Sequence, residues 1–252
     1  GKASIMVTVN DIYSMGGRPL AMVNVLASGD EDHRSKVVEG IKKGCEKLKV
    51  PMVGGHLHPD APESSPSLAV AILGYANKLL RSHLAKAGDD LILAVDLKGD
   101  KGCRSVVSWD ANSGKTPEEL LHRLETLPLI AERELAQAAK DVSNAGILGT
   151  LSIMMENSSK GAIIELGSIP KPAEIELSDW LVCFQSFGFV LSVSPEKSEA
   201  VIALFREREI TAAIIGKVID EPIVTLKNGL ASKVLFDFRK DKITGIVYNR
   251  HK

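Results

Sequence analysis

Ser4-Ile-Met-Val-Thr-Val-Asn-Asp-Ile-Tyr-Ser-Met-Gly-Gly-Arg-Pro19 is the stretch from which the rest of the chain is read. Residues 4–9 form a short apolar run ending in β-branched side chains, the pattern of a buried strand. Asn10 and Asp11 follow, both preferred helix N-cap types. The spacing then predicts a single helical turn over Ile12 to Met15, a left-handed stop at Gly16-Gly17 and a second strand from Leu20 to Ala27. On this reading Asp11 stands where a core strand turns into a helix, at the strand's carboxyl end, where open α/β sheets place their ligands. A plain helix cap explains Asp11 from spacing alone equally well.

Working outward, the 252 residues contain 44 % hydrophobic and 25 % charged side chains, the balance of a soluble globular protein with ample material for a core. The length suits one large domain or two ordinary ones. A net charge of −1 with both signs interspersed points to neither a nucleic-acid nor a membrane partner. Aromatic residues make up 4 %, which also argues against a base-stacking platform. Cys45, Cys103 and Cys183 are far apart and form no Cys-x-x-Cys, so neither a disulfide framework nor a structural zinc site is supported. A reducing, cytoplasmic setting is expected. No apolar run approaches the ~20 residues that span a bilayer, and no signal peptide is visible. Because the chain starts Gly1-Lys2 and enters an element at once, the expectation is that an N-terminal piece is missing.

Asp30 to Leu48 reads as an amphipathic helix with Val37, Val38, Ile41, Cys45 and Leu48 on one stripe. A short strand at Val50 to Val53 then enters the turn Gly54-Gly55-His56, and Ser67 to Ala76 is a longer strand. The pattern restarts near Leu80 to Gly88, which places a domain boundary at 80/81. Residues 97–116 read as an exposed loop. Thr116-Pro117-Glu118-Glu119 opens a helix, and Ser143 caps another running to about Asn157. Strands follow at Gly161 to Leu166, Phe187 to Val193 and Ala212 to Ile219, with a helix over Pro195 to Arg208. A meander closes the chain at Ile223–Leu226, Val234–Phe238 and Ile243–Tyr248. The fold class is α/β with mixed sheets, in two domains, 1–80 and 81–252.

Three further stretches carry polar groups suited to chemistry. Glycines after a strand, as at Gly54-Gly55, let a backbone approach a bound group; tight turns use them too. His56 and His58 alternate, so on a strand both face one side, and with Asp60 they are a candidate metal pair. Asp141-Val-Ser-Asn-Ala-Gly146 puts an acid just before a helix, which the helix dipole favours on its own. Ser113-Gly114-Lys115-Thr116 imitates the end of a phosphate-binding loop, but Trp109 replaces the required glycine and no strand precedes it, so its lysine reads as a surface charge. Cys103, in the exposed loop, is the thiol worth testing for reactivity.

The Asn10 to Pro19 stretch resembles the motif of the superfamily that contains aminoimidazole ribonucleotide (AIR) synthetase, thiamine monophosphate kinase, the hydrogenase maturation dehydratase and selenophosphate synthetase. Its Asn-Asp-Ile-Tyr-x-Met-Gly-Gly form is most similar to selenophosphate synthetase, as is Gly-Gly-His at 54–56; Asp141-Val-Ser-x-x-Gly146 resembles the superfamily's second acidic motif. The resemblance implies a two-domain AIR synthase-like architecture that pairs as a homodimer through its first domain, with nucleotide in the cleft between domains. It implies ATP and Mg2+ as cofactors and ATP-dependent activation of a small-molecule acceptor by phosphoryl transfer. Asp11 and Asp141 would hold magnesium, and Asn10, Gly54, Gly55, His56, Ser143 and Asn144 would line the nucleotide site. The resemblance fixes no acceptor, and the upstream segment that supplies further ligands in that superfamily does not occur in these residues. A non-catalytic nucleotide-binding or assembly protein of the same fold, and a metal hydrolase using His56, His58 and Asp60, stay open. Apart from the resemblance, Val7, Leu20, Val23, Val25, Leu68, Val70 and Ile72 are more apolar surface than one main helix covers, which also predicts a homodimer.

Overall fold

The computed structural model describes residues 1–102 and 107–246. Cys103 and the end of the expected Ile243–Tyr248 strand lie outside the described residues.

The opening stretch is a helix, not a strand. Helix α1 (Lys2–Ser14) buries Ile5, Val9 and Tyr13, whose four-residue spacing puts them on one helical face. The β-branched run suggested a strand, but packing of that face overrides its propensity. Asp11 therefore sits in the last turn of a helix rather than after a strand. The stop at Gly16 is as expected: its φ is +76°, and a Cβ there would lie 2.6 Å from the Cβ of Ala131.

Strand β1 (Arg18–Ala27), helix α2 (Glu31–Leu48), strand β2 (Met52–His58) and strand β3 (Ser67–Tyr75) follow. They form a three-stranded sheet of order β2-β1-β3, with β2 parallel and β3 antiparallel to β1. Asp30 caps α2 by accepting the His33 amide at 3.0 Å, and Ile41 and Leu48 are buried while Val38 faces solvent. Helix α1 packs on α2, β1 and β3. On the opposite face of the sheet Val23, Val25 and Leu73 stay exposed. Leu68, Val70 and Ile72 instead turn inward onto the core.

The rest of the chain is built from β4 (Asp90–Val95), β5 (Asp100–Lys101), β6 (Ser108–Asp110), α3 (Pro117–Leu124), α4 (Thr126–Glu132), β7 (Ala138–Asp141), α5 (Gly146–Asn157), β8 (Gly161–Glu165), α6 (Leu177–Leu181), β9 (Phe184–Gln185), β10 (Gly188–Val193), α7 (Ser198–Arg206), β11 (Thr211–Ile219), β12 (Ile223–Asn228) and β13 (Ala231–Asp237). Seven strands form a mixed sheet of order β13-β12-β8-β11-β4-β10-β7, and β5-β6-β9 form a small third sheet. Arg18 ties the two parts together through ion pairs to Glu125 and Glu132 on the α3–α4 side.

Local chemistry explains where these elements start. Thr116 and Glu119 close a reciprocal capping box at α3, each side chain accepting the other's backbone N–H. Ser143 does not cap α5. That helix starts at Gly146, with Ala145 in the cap position and no side-chain cap. Gly146 has φ +67°, and a Cβ there would stand 2.5 Å from the Leu181 carbonyl oxygen, so the chain turns into α5 through a position open only to glycine.

The described part of 97–116 is not the exposed loop expected, because it carries β5 and β6 and buries Trp109, Ala111 and Asn112. Nor is Lys115 a surface charge: its side chain is 10 % exposed and pairs with buried Asp96 at 2.9 Å, beside Arg123 at 2.6 Å. At the C-terminal end, residues 239–246 form no strand. The Glu156 carboxylate holds this segment by accepting the backbone N–H groups of Ile243, Thr244 and Gly245.

Candidate functional site

The last turn of α1 lies against β7. Asn10, 2 % exposed, donates its side-chain amide to the Ser186 carbonyl at 3.0 Å. This anchor sets the rotation of the turn, and the next residue, Asp11, meets Asp141 at the end of β7 closely enough to share a hydrogen bond. Asp141 is 4 % exposed, whereas Asp11 is open to solvent on its other side. Partial desolvation and the adjacent Asp141 charge push the Asp11 carboxyl up to about 6, against a smaller opposing pull from Lys140. The Lys140 ammonium lies 3.6 Å from Asp141.

Two carboxylates held together with one ammonium nearby repel unless a proton or a cation lies between them. The donor set is all oxygen, which fits magnesium rather than a soft metal. Among the described residues no group of three or more His, Cys, Asp or Glu side chains is placed to hold a metal ion. The two carboxylates would therefore supply part of a coordination shell, with the remaining oxygens coming from ligand and water. Ser143 and Asn144 follow Asp141 in the connection to α5. The Ser143 amide donates to Thr150 Oγ1 at 3.3 Å, and Asn144 is exposed.

Among the described residues Gly54, Gly55 and His56 make no hydrogen bond or ion pair with Asp11 or Asp141; they lie in β2. The expected turn is continuous strand, because parallel pairing with β1 runs on through Asn24↔Gly55 and Val25↔His56. Gly55 is needed there, since a Cβ would fall 2.3 Å from Asn24 Oδ1, whereas a Cβ at Gly54 would make only an ordinary 3.7 Å contact with Val23. His56 and His58 share the exposed face, their rings 4.4 Å apart and edge to face. As a pair they fall short of the three protein ligands of a catalytic zinc site. Desolvation pushes the Cys183 thiol up to about 11, which leaves it a poor nucleophile.

Four residues that the sequence reading passed over belong to this region. The Ser186 carbonyl accepts from both Asn10 and Asn112, the latter at 2.8 Å, and Ser186 Oγ accepts the Ala111 amide at 2.8 Å. Gln185 is fully buried with neither side-chain amide atom paired, and Ser108 Oγ is also without a partner. The readable signal was the Gln-Ser pair interrupting an apolar run from Trp180 to Val193.

Residues 1–76 match the family described as AIR synthase related protein, N-terminal domain, and residues 86–227 match AIR synthase related protein, C-terminal domain. The chain belongs to the AIR synthase related proteins. This AIR synthase related protein is 39 % identical over 247 residues to an uncharacterized protein of Methanocaldococcus jannaschii, covering 97 % of the chain and 76 % of that protein. It is 26 % identical to the phosphoribosylformylglycinamidine synthase subunit PurL of Methanopyrus kandleri, over 88 % of the chain and 34 % of PurL. Selenide, water dikinase of Colwellia psychrerythraea is 29 % identical over 68 % of the chain and 52 % of the dikinase. Among solved structures, Thermotoga maritima PurL complexed with ATP superposes with a TM-score of 0.76 at 20 % identity, covering 94 % of the chain and 40 % of that structure. The chain thus spans well under half of the PurL proteins it matches. The mixed-sheet, two-domain AIR synthase-like fold expected from the sequence is the fold observed.

Proposed function

We propose that this protein binds ATP with magnesium and uses it to activate a small molecule by phosphoryl transfer. The observation that carries the reading is the Asp11–Asp141 pair: two carboxylates from distant parts of the chain, fixed side by side, one buried and one facing solvent. Bound magnesium would neutralise phosphate charge and orient the phosphates. The chain's own contribution is positional. Asn10, locked to Ser186, holds Asp11 in place; β7 holds Asp141; Lys140 offsets part of their charge. Ser143 and Asn144 stand at the start of the connection that leads from Asp141 into α5.

A triphosphate beside bare carboxylates is repulsive, by roughly 4 kcal/mol for one unit-charge pair at ~4 Å and an effective dielectric of ~20. The pair therefore favours nucleotide only with its cation. The AIR synthase relationship supports the same reading, since a PurL of this fold is solved with ATP and a selenide, water dikinase is a relative. We place the boundary between the two domains at 80/81 and assign the protein to the cytoplasm.

We further propose a homodimer through the bare face of the β2-β1-β3 sheet. Gly54, His56 and His58 lie on that face beside Val23 and Val25, so pairing would bury them and bring them to a second copy. The test of the nucleotide reading is titration with Mg-ATP and with ATP plus chelator. Heat release and a raised melting temperature with Mg-ATP, absent without magnesium, is the expected result. Equal binding with and without the metal would count against it.

A further inference from the structure

Lys140 is the penultimate residue of β7, the strand at the edge of the seven-stranded sheet. Successive side chains on a strand leave opposite faces, yet the Lys140 ammonium comes back to within 3.6 Å of Asp141 Oδ1. Its four-carbon stem makes this reach possible and leaves it several ways to lie. The ammonium also acts on Asp11, where its charge opposes that of Asp141. Among the described residues it makes no side-chain hydrogen bond, because 3.6 Å is an electrostatic contact and longer than a bond of normal geometry.

Other lysines beside carboxylates are fixed more firmly. Lys217 donates to Asp90 at 2.8 Å and Lys160 to Asp220 at 2.7 Å. Lys115 pairs with Asp96 at 2.9 Å and donates to the Lys98 carbonyl at 2.7 Å. The Lys140 side chain is 27 % exposed against 10 % for Lys115, so its head can move without unpacking the core. Lys140 is held at the carboxylates by charge alone.

That placement has opposite consequences for a bare metal and for a metal that arrives with nucleotide. A magnesium ion entering the two carboxylates meets an ammonium already beside them, and like charges at this range repel. With a triphosphate present the sign reverses. The ammonium then has anionic oxygens to pair with, in charge-assisted hydrogen bonds stronger than its present contact with Asp141.

We propose that Lys140 is an exchangeable counter-ion of the site: it stays at the carboxylate pair until nucleotide arrives, disfavours free magnesium, and then moves to the phosphates, so that metal and ATP enter together. The proposal rests on the nucleotide reading of Asp11 and Asp141 and adds to it an order of binding. Calorimetric titration of Mg2+ alone and of Mg-ATP into the parent, Lys140→Met and Lys140→Arg tests it. Methionine keeps most of the stem and removes the charge, and circular dichroism should stay native. Lys140→Met should bind free Mg2+ about tenfold more tightly and Mg-ATP about tenfold more weakly, the scale of one charge-assisted hydrogen bond. Lys140→Arg, which keeps the charge, should bind free Mg2+ as weakly as the parent. A lysine with a merely structural role would move both affinities the same way or neither, and either result in Lys140→Met overturns the exchange. Asp11→Asn keeps the two failures apart. Mg-ATP binding unchanged in Asp11→Asn overturns the nucleotide reading. Mg-ATP binding lost in Asp11→Asn, with both titrations of Lys140→Met equal to the parent's, overturns the role of the lysine alone.

Discussion

In the seven-stranded sheet every residue of β4 and β10 is buried, whereas in the three-stranded sheet β3 alternates between exposed and half-buried along its whole length. Strand β2 is exposed from Val53 to His58. The first pattern is that of strands covered on both faces, and the second that of a sheet covered on one. Yet the bare face carries Val23 and Val25 at 45 % and 44 % exposure and Leu73 at 65 %, side chains that water disfavours. The contrast teaches that the central strands of the C-terminal sheet are covered on both faces, while the N-terminal sheet shares the same core on one face and leaves the other bare. Asp11 and Asp141 lie on the covered side of this divide, and Gly54, His56 and His58 on the bare side.

Truncations on the two sides give the largest expected difference. Leu93→Ala, in fully buried β4, should lower the unfolding free energy by about 2–5 kcal/mol. Leu73→Ala, the same chemical change on the bare face, should cost under about 1 kcal/mol at low protein concentration. Similar losses in denaturant melts would erase the comparison. The bare face itself is probed by Val25→Lys with Leu73→Lys. Light scattering should show a dimer in the parent and a monomer in this double variant, with circular dichroism unchanged. A parent that is already monomeric at micromolar concentration would contradict the homodimer.

Two glycines sharpen the comparison at smaller scale. Gly146→Ala forces a Cβ into a left-handed position against the α6 end and should cost about 1–3 kcal/mol. Gly54→Ala meets only open space and Val23, and should change stability by no more than about 0.5 kcal/mol. The smallest effect concerns Tyr13, buried under α1, whose phenol is pushed up to about 12 chiefly by desolvation. A folded-state pKa above the unfolded value of about 10 stabilises the protein below pH 10, and that contribution declines as pH rises from 10 to 12. Ultraviolet titration should place this phenol's ionisation above that of a free tyrosine. Ionisation near 10 in the folded protein would show that the α1 face is not packed as described.

What was legible in the sequence follows from how local each cause is. Helices α2 and α3 carry their own start signals in Asp30 and in the Thr116–Glu119 box, so their N-termini could be read directly. The fold class followed from the order of apolar strands and amphipathic helices. Helix α1 was misread because Val7, Thr8 and Val9 favour a strand locally, while the deciding contacts of Ile5, Val9 and Tyr13 are tertiary. Ser143 has the residue type of a cap, but Gly146 turns the chain three residues later. Lys115 looked solvated because its partner Asp96 is remote in sequence. In the candidate site, Asp11 and Asp141 stand in motifs of small and polar residues and could be singled out. Their meeting, and the roles of Asn112, Gln185 and Ser186, depend on a carbonyl shared between segments far apart in the chain, which no local pattern encodes.

The central claim is that Asp11 and Asp141 act together through one magnesium-bound triphosphate. Calorimetric titration of Mg-ATP into the parent, Asp11→Asn, Asp141→Asn and the double variant tests it most directly. Each single substitution should weaken binding at least about tenfold, the scale of a lost interaction with a charged group. The double variant should lose less than the sum, because both carboxylates serve one ligand. Stability of the ligand-free Asp11→Asn protein should be kept or slightly raised, by up to about 1 kcal/mol after allowing for solvent screening, since the substitution relieves the carboxylate repulsion. Mg-ATP binding that is unchanged in both single variants would contradict the account.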